Sequence, residues 1–407
     1  MKKQFIQLSG SILVAGLMAT ALFTGCQREK KMVENSVTSD DVVKTTWEYI
    51  PGQYIIVYDK AQIGNPQQKI GKNPVALHDY VQGVTNQMFE QHGISAAAEI
   101  KEIYCNTING FAASLTNEQL EKIKKDARVA YVEQDIMIHI SGGKPGSGTT
   151  QPAQVIKWNM LRVNWATYAG SNVCFILDTG IDLNHPDLNV DAKKGFNAFR
   201  TGIDAKSLND GHGHGSHCAG VVGAKNNDIG VVGVAAGATV VPVKVLSNTG
   251  SGSYSGVIAG VDFVAAHATT GDVASMSLGG PIYTPLDDAI KTAAANGIKF
   301  ALAAGNEGDD ANNHSPARTN ATNVYTISAM DVNDNYASWS NWSASIVDYC
   351  APGVSIYSTY KNDGYTTMSG TSMATPHAAG VLLHGTINTS GTVNNDPDGT
   401  SDPIIVH

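Results

Sequence analysis

Charged side chains are scarce in this 407-residue chain, at only 15 %, and it contains no internal repeat. So little charge together with 42 glycines argues against a disordered or coiled-coil chain and suits a compact, loop-rich globular protein. Basic clusters are also missing, and the formal net charge is -9. Phosphate binding is driven by grouped Lys and Arg that displace counterions, so nucleic acid is not an expected partner. Cysteines number five. After Cys26, the only ones are Cys105, Cys174, Cys218 and Cys350, and the last three belong to the C-terminal region, where an odd number cannot all pair. Two readings stay open: buried free thiols, or a bridge between Cys174 and Cys350, which both sit in apolar strand-like runs.

A single hydrophobic core stops growing near ~250–300 residues, so a chain of this length predicts at least two folded units. Lys2 and Lys3 precede an apolar stretch over residues 5–23 that ends in Phe23-Thr24-Gly25-Cys26, which marks residues 1–26 as a targeting segment. Its end resembles a bacterial lipoprotein signal, which would make Cys26 the lipid attachment site; an ordinary secretory signal and an uncleaved anchor are the alternatives, and all three export the chain. Residues 27–50 are polar and mixed in charge and read as a tether. Over residues 51–140 the apolar pattern gives strand, helix, strand, strand, helix, strand, the split βαβ order of a small α+β ferredoxin-like domain. Residues 141–153 are rich in Gly, Ser and Pro and form a linker. From 154 to 407 short apolar runs (173–177, 240–245, 273–277, 298–304, 324–329) alternate with helical ones such as 256–268 and 285–296, which predicts an α/β domain with a mostly parallel central sheet and helices on both faces.

Three segments of that last domain carry chemistry. Asp178 follows the apolar run Phe175-Ile176-Leu177, at the carboxyl end of a buried strand, where open α/β sheets place their ligands. His214 lies in Asp210-Gly211-His212-Gly213-His214-Gly215-Ser216-His217-Cys218, and Ser372 in Gly370-Thr371-Ser372-Met373-Ala374-Thr375-Pro376, ahead of a helix whose start is expected at Pro376. A serine hydroxyl is a poor nucleophile unless an imidazole takes its proton, and the imidazole needs a carboxylate to hold its tautomer. Asp178, His214 and Ser372 are the right types for those roles, and the chain order Asp, His, Ser is one of the orders in which this geometry occurs.

From residue 154 to about 385 the chain resembles the subtilisin and proteinase K superfamily of serine proteases, and the preceding domain resembles the inhibitory propeptide of that family. The resemblance implies a secreted endopeptidase of broad specificity acting on protein or peptide substrates through an acyl-enzyme, needing no catalytic cofactor and working as a monomer. It makes His214 the general base and His217 a packing residue. Asn306 of Ala303-Ala304-Gly305-Asn306 becomes an oxyanion donor beside the Ser372 N–H. Ser277-Leu278-Gly279-Gly280 resembles the family's pocket wall, and Gly252-Ser253-Tyr254 its opposing edge strand. An extended peptide pairing with both would gain main-chain hydrogen bonds that ignore side chains. His314 falls near the floor of the pocket, or on an exposed loop.

The resemblance also implies a structural calcium site built from Gln154, Asp187 and Asn227 with the carbonyls of Lys225, Ile229 and Val231, an oxygen set suited to a hard cation. Two other classes of function compete: a zinc cluster on His212, His214 and His217, and a peptide-binding pseudoprotease. If the protease reading holds, the propeptide acts as an intramolecular inhibitor until the linker is cut. A lipid on Cys26 would then hold the catalytic domain at the membrane only before maturation.

Overall fold

A computed structural model describes residues 42–95, 100–141 and 151–407; the targeting segment with Cys26, most of the tether and residues 142–150 of the linker lie outside the described residues. The N-terminal module consists of β1 (Thr45–Tyr58), α1 (Pro74–His92), β2 (Ile100–Tyr104), β3 (Gly110–Ser114), α2 (Asn117–Ile123) and β4 (Val129–Ile140). Its strands run in the spatial order β4-β1-β3-β2 with antiparallel neighbours, the expected ferredoxin-like arrangement. Local chemistry marks the helix ends. Asn73 accepts the Ala76 N–H, Pro74 pre-sets the first helical turn, and Gly93, at φ 65°, closes α1 in a left-handed conformation. α2 opens on a capping box between Thr116 and Gln119. The α1 stripe Leu77, Val81, Met88 and Phe89 packs with Phe111 of β3 in a core of its own. Side chains of this size contribute about 1.5–3 kcal/mol each relative to exposure.

The tether reading needs correction. Residues 45–49 are the first part of β1 and pair with the end of β4, from Thr45 opposite Ile140 to Tyr49 opposite Ile136, while Val42 and Val43 are buried. Thr45, Thr46, Trp47 and Tyr49 are β-branched or aromatic, which favours a strand wherever a partner edge exists.

The C-terminal module is a parallel sheet built from β5 (Cys174–Asp178), β6 (Thr239–Lys244), β8 (Val273–Met276), β10 (Lys299–Ala303), β12 (Val324–Met330) and β13 (Val347–Pro352). Around it lie the short strands β7 (Ser251–Ser253), β9 (Gly280–Pro281) and β11 (His314–Ser315), and the helices α3 (His214–Gly223), α4 (Tyr254–His267), α5 (Thr284–Ala294) and α6 (Thr371–His384). Neighbours on a strand point to opposite faces. Leu177 lies beneath Gly260 of α4, whereas Asp178 meets Gly215 of α3, so these two helices cover opposite faces of the sheet. The C-terminal tail extends the sheet through β14 (Asn388–Thr392) and β15 (Pro403–Val406), β15 running parallel to β13 with Ile404 and Ile405 buried. Among the described residues Cys105, Cys174, Cys218 and Cys350 are all free and buried, which settles the cysteine alternatives in favour of thiols.

The modules join through one continuous sheet and two buried carboxylates. β4 pairs antiparallel with β7, Met137 opposite Ser253, Ile138 opposite Gly252 and His139 opposite Ser251. Asp135, on β4, accepts the Ser255 N–H at 3.0 Å at the start of α4, where the helix dipole favours an anion. Asp262, further along α4, accepts from the Asn106 N–H and Nδ2 (2.9 and 2.8 Å) and the Thr107 N–H and Oγ1 (2.9 and 2.8 Å) of the N-terminal module. Removing one side of such a buried charged network costs about 2–5 kcal/mol. Asp262→Ala should therefore weaken the association of the separately produced modules by at least ~30-fold in a calorimetric titration; an unchanged affinity would mean that the β4 and β7 pairing alone holds them.

Candidate active site

Asp178 and His214 meet because a strand end and a helix start are brought unusually close. His214 opens α3, and its Nδ1 lies 2.8 and 2.9 Å from the two carboxylate oxygens of fully buried Asp178. The approach depends on Gly215, where a Cβ would stand 2.1 Å from the Gly180 carbonyl oxygen. Asp210 holds the turn that presents the imidazole. Its carboxylate accepts the N–H groups of His212, Gly213 and Ser216 at 2.9, 2.7 and 2.9 Å and the hydroxyls of Thr179 and Ser216 at 2.9 and 2.7 Å. The sequence reading missed Asp210, although an aspartate just before a helix start is an ordinary capping signal.

Burial pulls the His214 pKa down, but the Asp178 carboxylate outweighs it and sets the imidazole well above its usual range. Cys218, whose Sγ is 4.0 Å from His214 Nδ1, is itself pushed up by burial and stays a neutral thiol. Burial and the nearby His214 lower His212 to about 4 and His217 to about 3. The zinc reading does not fit this arrangement. His217 Nε2 is 3.0 Å from the Ile356 carbonyl, and among the described residues the one group of three or more His, Cys, Asp or Glu side chains placed closely enough to share an ion is Asp178, His214 and Cys218, without His212 or His217.

Ser372 is the second residue of α6, which begins at Thr371 and not at Pro376. Pro376 sits inside the helix, where it lacks the N–H that would bond four residues back to the Ser372 carbonyl. That carbonyl instead accepts the Ser277 hydroxyl at 2.8 Å, while Ser372 Oγ donates to the Ser277 carbonyl at 3.2 Å. His214 Nε2 is buried without a hydrogen-bond partner, so the hydroxyl is turned toward the Ser277 carbonyl and not toward the imidazole. As an early helical residue, Ser372 keeps its own N–H free of an intrahelical partner.

Asn306 is oriented by its neighbour in space. Its Oδ1 accepts both the Thr371 N–H and the Thr371 hydroxyl, at 2.8 and 2.9 Å, which leaves Nδ2 facing the cleft, where it donates to the Val43 carbonyl at 2.8 Å. Thr371 and Val43 carried no signal as single residues, since their parts depend on contacts across 65 and 263 positions of chain.

A pocket beside Ser372 is walled by Leu278, Gly279 and Gly280, with His314 among its lining residues and Thr45 at its edge. His314 is therefore at the pocket and not on a free loop, 3.4 Å from Asp309 and 3.9 Å from Glu307. Gly252 and Ser253 lie on β7, but Tyr254 does not. It starts α4, is fully buried and donates to the Ser315 carbonyl at 3.0 Å.

The six residues of the calcium set come together. Gln154 Oε1 accepts the Asn227 N–H at 2.6 Å, and Asp187 takes the Asn227 side-chain amide at 2.9 Å and the Val231 N–H at 3.0 Å. Ala153 and Val155 bridge to Ile229 and Val231, and the Lys225 N–H bonds the Asp187 carbonyl at 2.9 Å. Burial raises the Asp187 pKa, outweighing the hydrogen bonds from Val231, Asn227 and Tyr365 and the nearby His185, and the donor set is all oxygen once the Asn227 amide is turned over. The residues fit a hard cation.

Since the His214 turn depends on Gly215, Gly215→Ala should lower the thermal midpoint by several degrees, from overpacking of about 1–3 kcal/mol or more; a midpoint at or above wild type would show that the contact relaxes freely.

The chain matches the Subtilase family over residues 170–386 and Peptidase inhibitor I9 over residues 53–141. It is 37 % identical over 343 residues to the Alkaline serine exoprotease A of Vibrio alginolyticus, covering 82 % of this chain but only 60 % of that protein's length. It is 38 % identical to the Alkaline serine protease ver112 of Corniculantispora psalliotae over 77 % of this chain and 80 % of that one, and 41 % identical to Subtilisin E of Bacillus subtilis over 67 % and 69 %. Among solved structures, that of a cold adapted subtilisin-like serine proteinase superposes with a TM-score of 0.55 at 36 % identity, over 62 % of this chain and 98 % of that one. On its family match, its relatives and its fold, the chain belongs to the subtilase family of serine proteases and carries an I9-type inhibitor domain ahead of the protease domain.

Proposed function

We propose that the protein is an exported, self-maturing endopeptidase of broad specificity in which Ser372 is the nucleophile, His214 the general base, Asp178 the group that orients it, and Asn306 with the Ser372 N–H the oxyanion donors. The observation that carries this reading is the buried Asp178 and His214 pair at 2.8 Å, next to a serine at a helix start and an amide aimed by Thr371. Rotation of the Ser372 hydroxyl from Ser277 to His214 Nε2 would let the imidazole take its proton as Oγ attacks the peptide carbonyl. The tetrahedral oxygen would lie between the Ser372 N–H and Asn306 Nδ2, a type of donor worth ~10²–10³-fold in rate. His214 then returns the proton to the departing amine, and water releases the acyl group. Main-chain pairing along β7, with Leu278, Gly279 and Gly280 lining the pocket, supports low sequence selectivity.

In this reading the chain acts as a monomer, and its N-terminal module is its own inhibitor until cleavage within 141–153. A lipid on Cys26 would make membrane attachment last only until that cut, leaving the mature domain at the cell surface, in the periplasm or outside the cell. Gln154, Asp187 and Asn227, with the carbonyls of Lys225, Ile229 and Val231, would hold calcium, whose charge would offset the buried Asp187 carboxylate and pin residues 153–155 to the 225–231 loop.

Two experiments test these assignments. A fluorophosphonate probe should label the mature protein, and both labelling and the size reduction of the precursor should disappear in Ser372→Ala; labelling that persists in the variant excludes Ser372 as nucleophile. Chelation with EDTA should lower the thermal midpoint of the wild type, since bound ligand stabilises by mass action. Asp187→Asn should start at the lower midpoint and no longer respond to calcium. Equal responses of the two proteins would remove the site.

A further inference from the structure

The cleft contains a strand that the maturation scheme does not require. Val42 bridges to Ser369 in parallel, and the Val43 N–H donates to the Ser369 carbonyl at 2.9 Å. On its other side Val43 offers its carbonyl to Asn306 Nδ2 at 2.8 Å, and a Cβ added at Gly370 would be 3.5 Å from the Val43 Cβ. Next, Lys44 is clasped by Ser141 through two hydrogen bonds of 2.8 and 2.9 Å. Thr45 then reaches the pocket walled by Leu278, Gly279 and Gly280 and pairs with Ile140. Val42 and Val43 are buried, at 6 % and 3 % exposure.

Polarity separates this segment from a substrate. β4 leads into the linker, so its direction, antiparallel to β7, is that of a chain on its way to being cut. β1 runs antiparallel to β4 and hence opposite to that direction. Reversing a strand exchanges the nitrogen and the Cα on either side of each carbonyl. The Val43 carbonyl can fill the acceptor position at Asn306, but its peptide nitrogen then stands on the side where a productive chain carries Cα. A leaving amine there is out of place for a proton from His214, and attack on Val43 has no productive exit. Among the described residues Thr45 is the one residue of this module that lines the pocket, while Ile138 of β4 packs against the pocket wall at Gly280.

We propose that residues 42–45 are a second inhibitory strand, a plug of reversed polarity that occupies the Asn306 amide and the pocket edge and must withdraw before the 141–153 linker can enter and be cut. The inference rests on the reading of Ser372 and Asn306 given above. Inhibition is therefore shared by two strands of one module: β4 covers β7, and the start of β1 covers the catalytic groups. The plug lies upstream of the linker, so cutting the linker separates it from the protease domain together with β4.

The test uses the intact precursor and follows two rates, fluorophosphonate labelling of Ser372 and cleavage of the linker. Val43→Pro removes the N–H given to Ser369 and disturbs the carbonyl held by Asn306, which should raise both rates by about tenfold or more. Rates equal to wild type would overturn the proposal. In Val42→Cys/Ser369→Cys, oxidation should trap a precursor that is neither labelled nor cut, and reduction should restore both. Failure to cross-link, or equal rates for the oxidised and reduced forms, would also overturn it, and Val43→Pro, which leaves Ser369 intact, decides the matter if the double variant misfolds. Absence of labelling in the mature wild-type enzyme would instead count against Ser372 as nucleophile, a separable result.

Discussion

The bond between Asp178 and His214 is the constraint on which the rest of the structure depends. It places a carboxylate and an imidazole, both without solvent access, at the crossing of β5 and α3. A buried carboxylate is costly unless its partners are fixed. Gly215 permits the approach, the Thr179 N–H adds a hydrogen bond at 2.7 Å, and Asp210 locks the turn that carries the ring. Ser277 and Ser372 clasp one another across the same region, joining the stretch after β8 to α6. The charge arrangement is thus supported by backbone geometry on both sides of the cleft.

A second buried network holds the inhibitor module in place. Asp135 and Asp262 lie 127 positions apart, yet both meet α4, one from β4 at the helix start and one from within the helix toward the Asn106 and Thr107 turn. These contacts anchor the module at a distance from the catalytic groups. The strands that reach the cleft, the end of β4 and the start of β1, extend from that anchored body. Asp135 and Asp262 thus serve docking alone, the end of β4 serves both docking and cover of β7, and the start of β1 lies against Asn306.

Much of this was legible in the sequence, for a physical reason. Asp178, His214, Ser372 and Asn306 each sit in a short motif whose glycines and flanking apolar run report the local backbone, so the residue and its setting are read together. The ferredoxin-like order and the parallel sheet followed from apolar periodicity. What escaped notice depends on tertiary contact. Nothing around Thr371 says that it will aim Asn306, and residues 45–49 read as a tether because the edge of β4 that makes them a strand is ~90 positions away in the chain. Tyr254 was misplaced because an edge strand and a helix start abut at Ser253, whose hydroxyl caps α4 by accepting the Gly256 N–H at 3.1 Å. Pro376 misled in the opposite sense: a proline that often opens a helix here lies within one, and the carbonyl it leaves free is taken up by Ser277.

The most direct measurement of the central claim is kcat/KM for peptide hydrolysis by the mature enzyme as a function of pH, in wild type and in Asp178→Asn. His214 can accept the Ser372 proton only when neutral, and the Asp178 carboxylate raises its pKa. The acid limb of the wild-type profile should therefore lie above the ordinary imidazole value of about 6.5. In Asp178→Asn that limb should move to lower pH, and the plateau should fall by ~10³–10⁴-fold, as expected when the carboxylate that fixes the tautomer is lost. An acid limb that stays where it is, with a plateau near that of the wild type, would contradict the assignment of Asp178 and His214 as the catalytic pair.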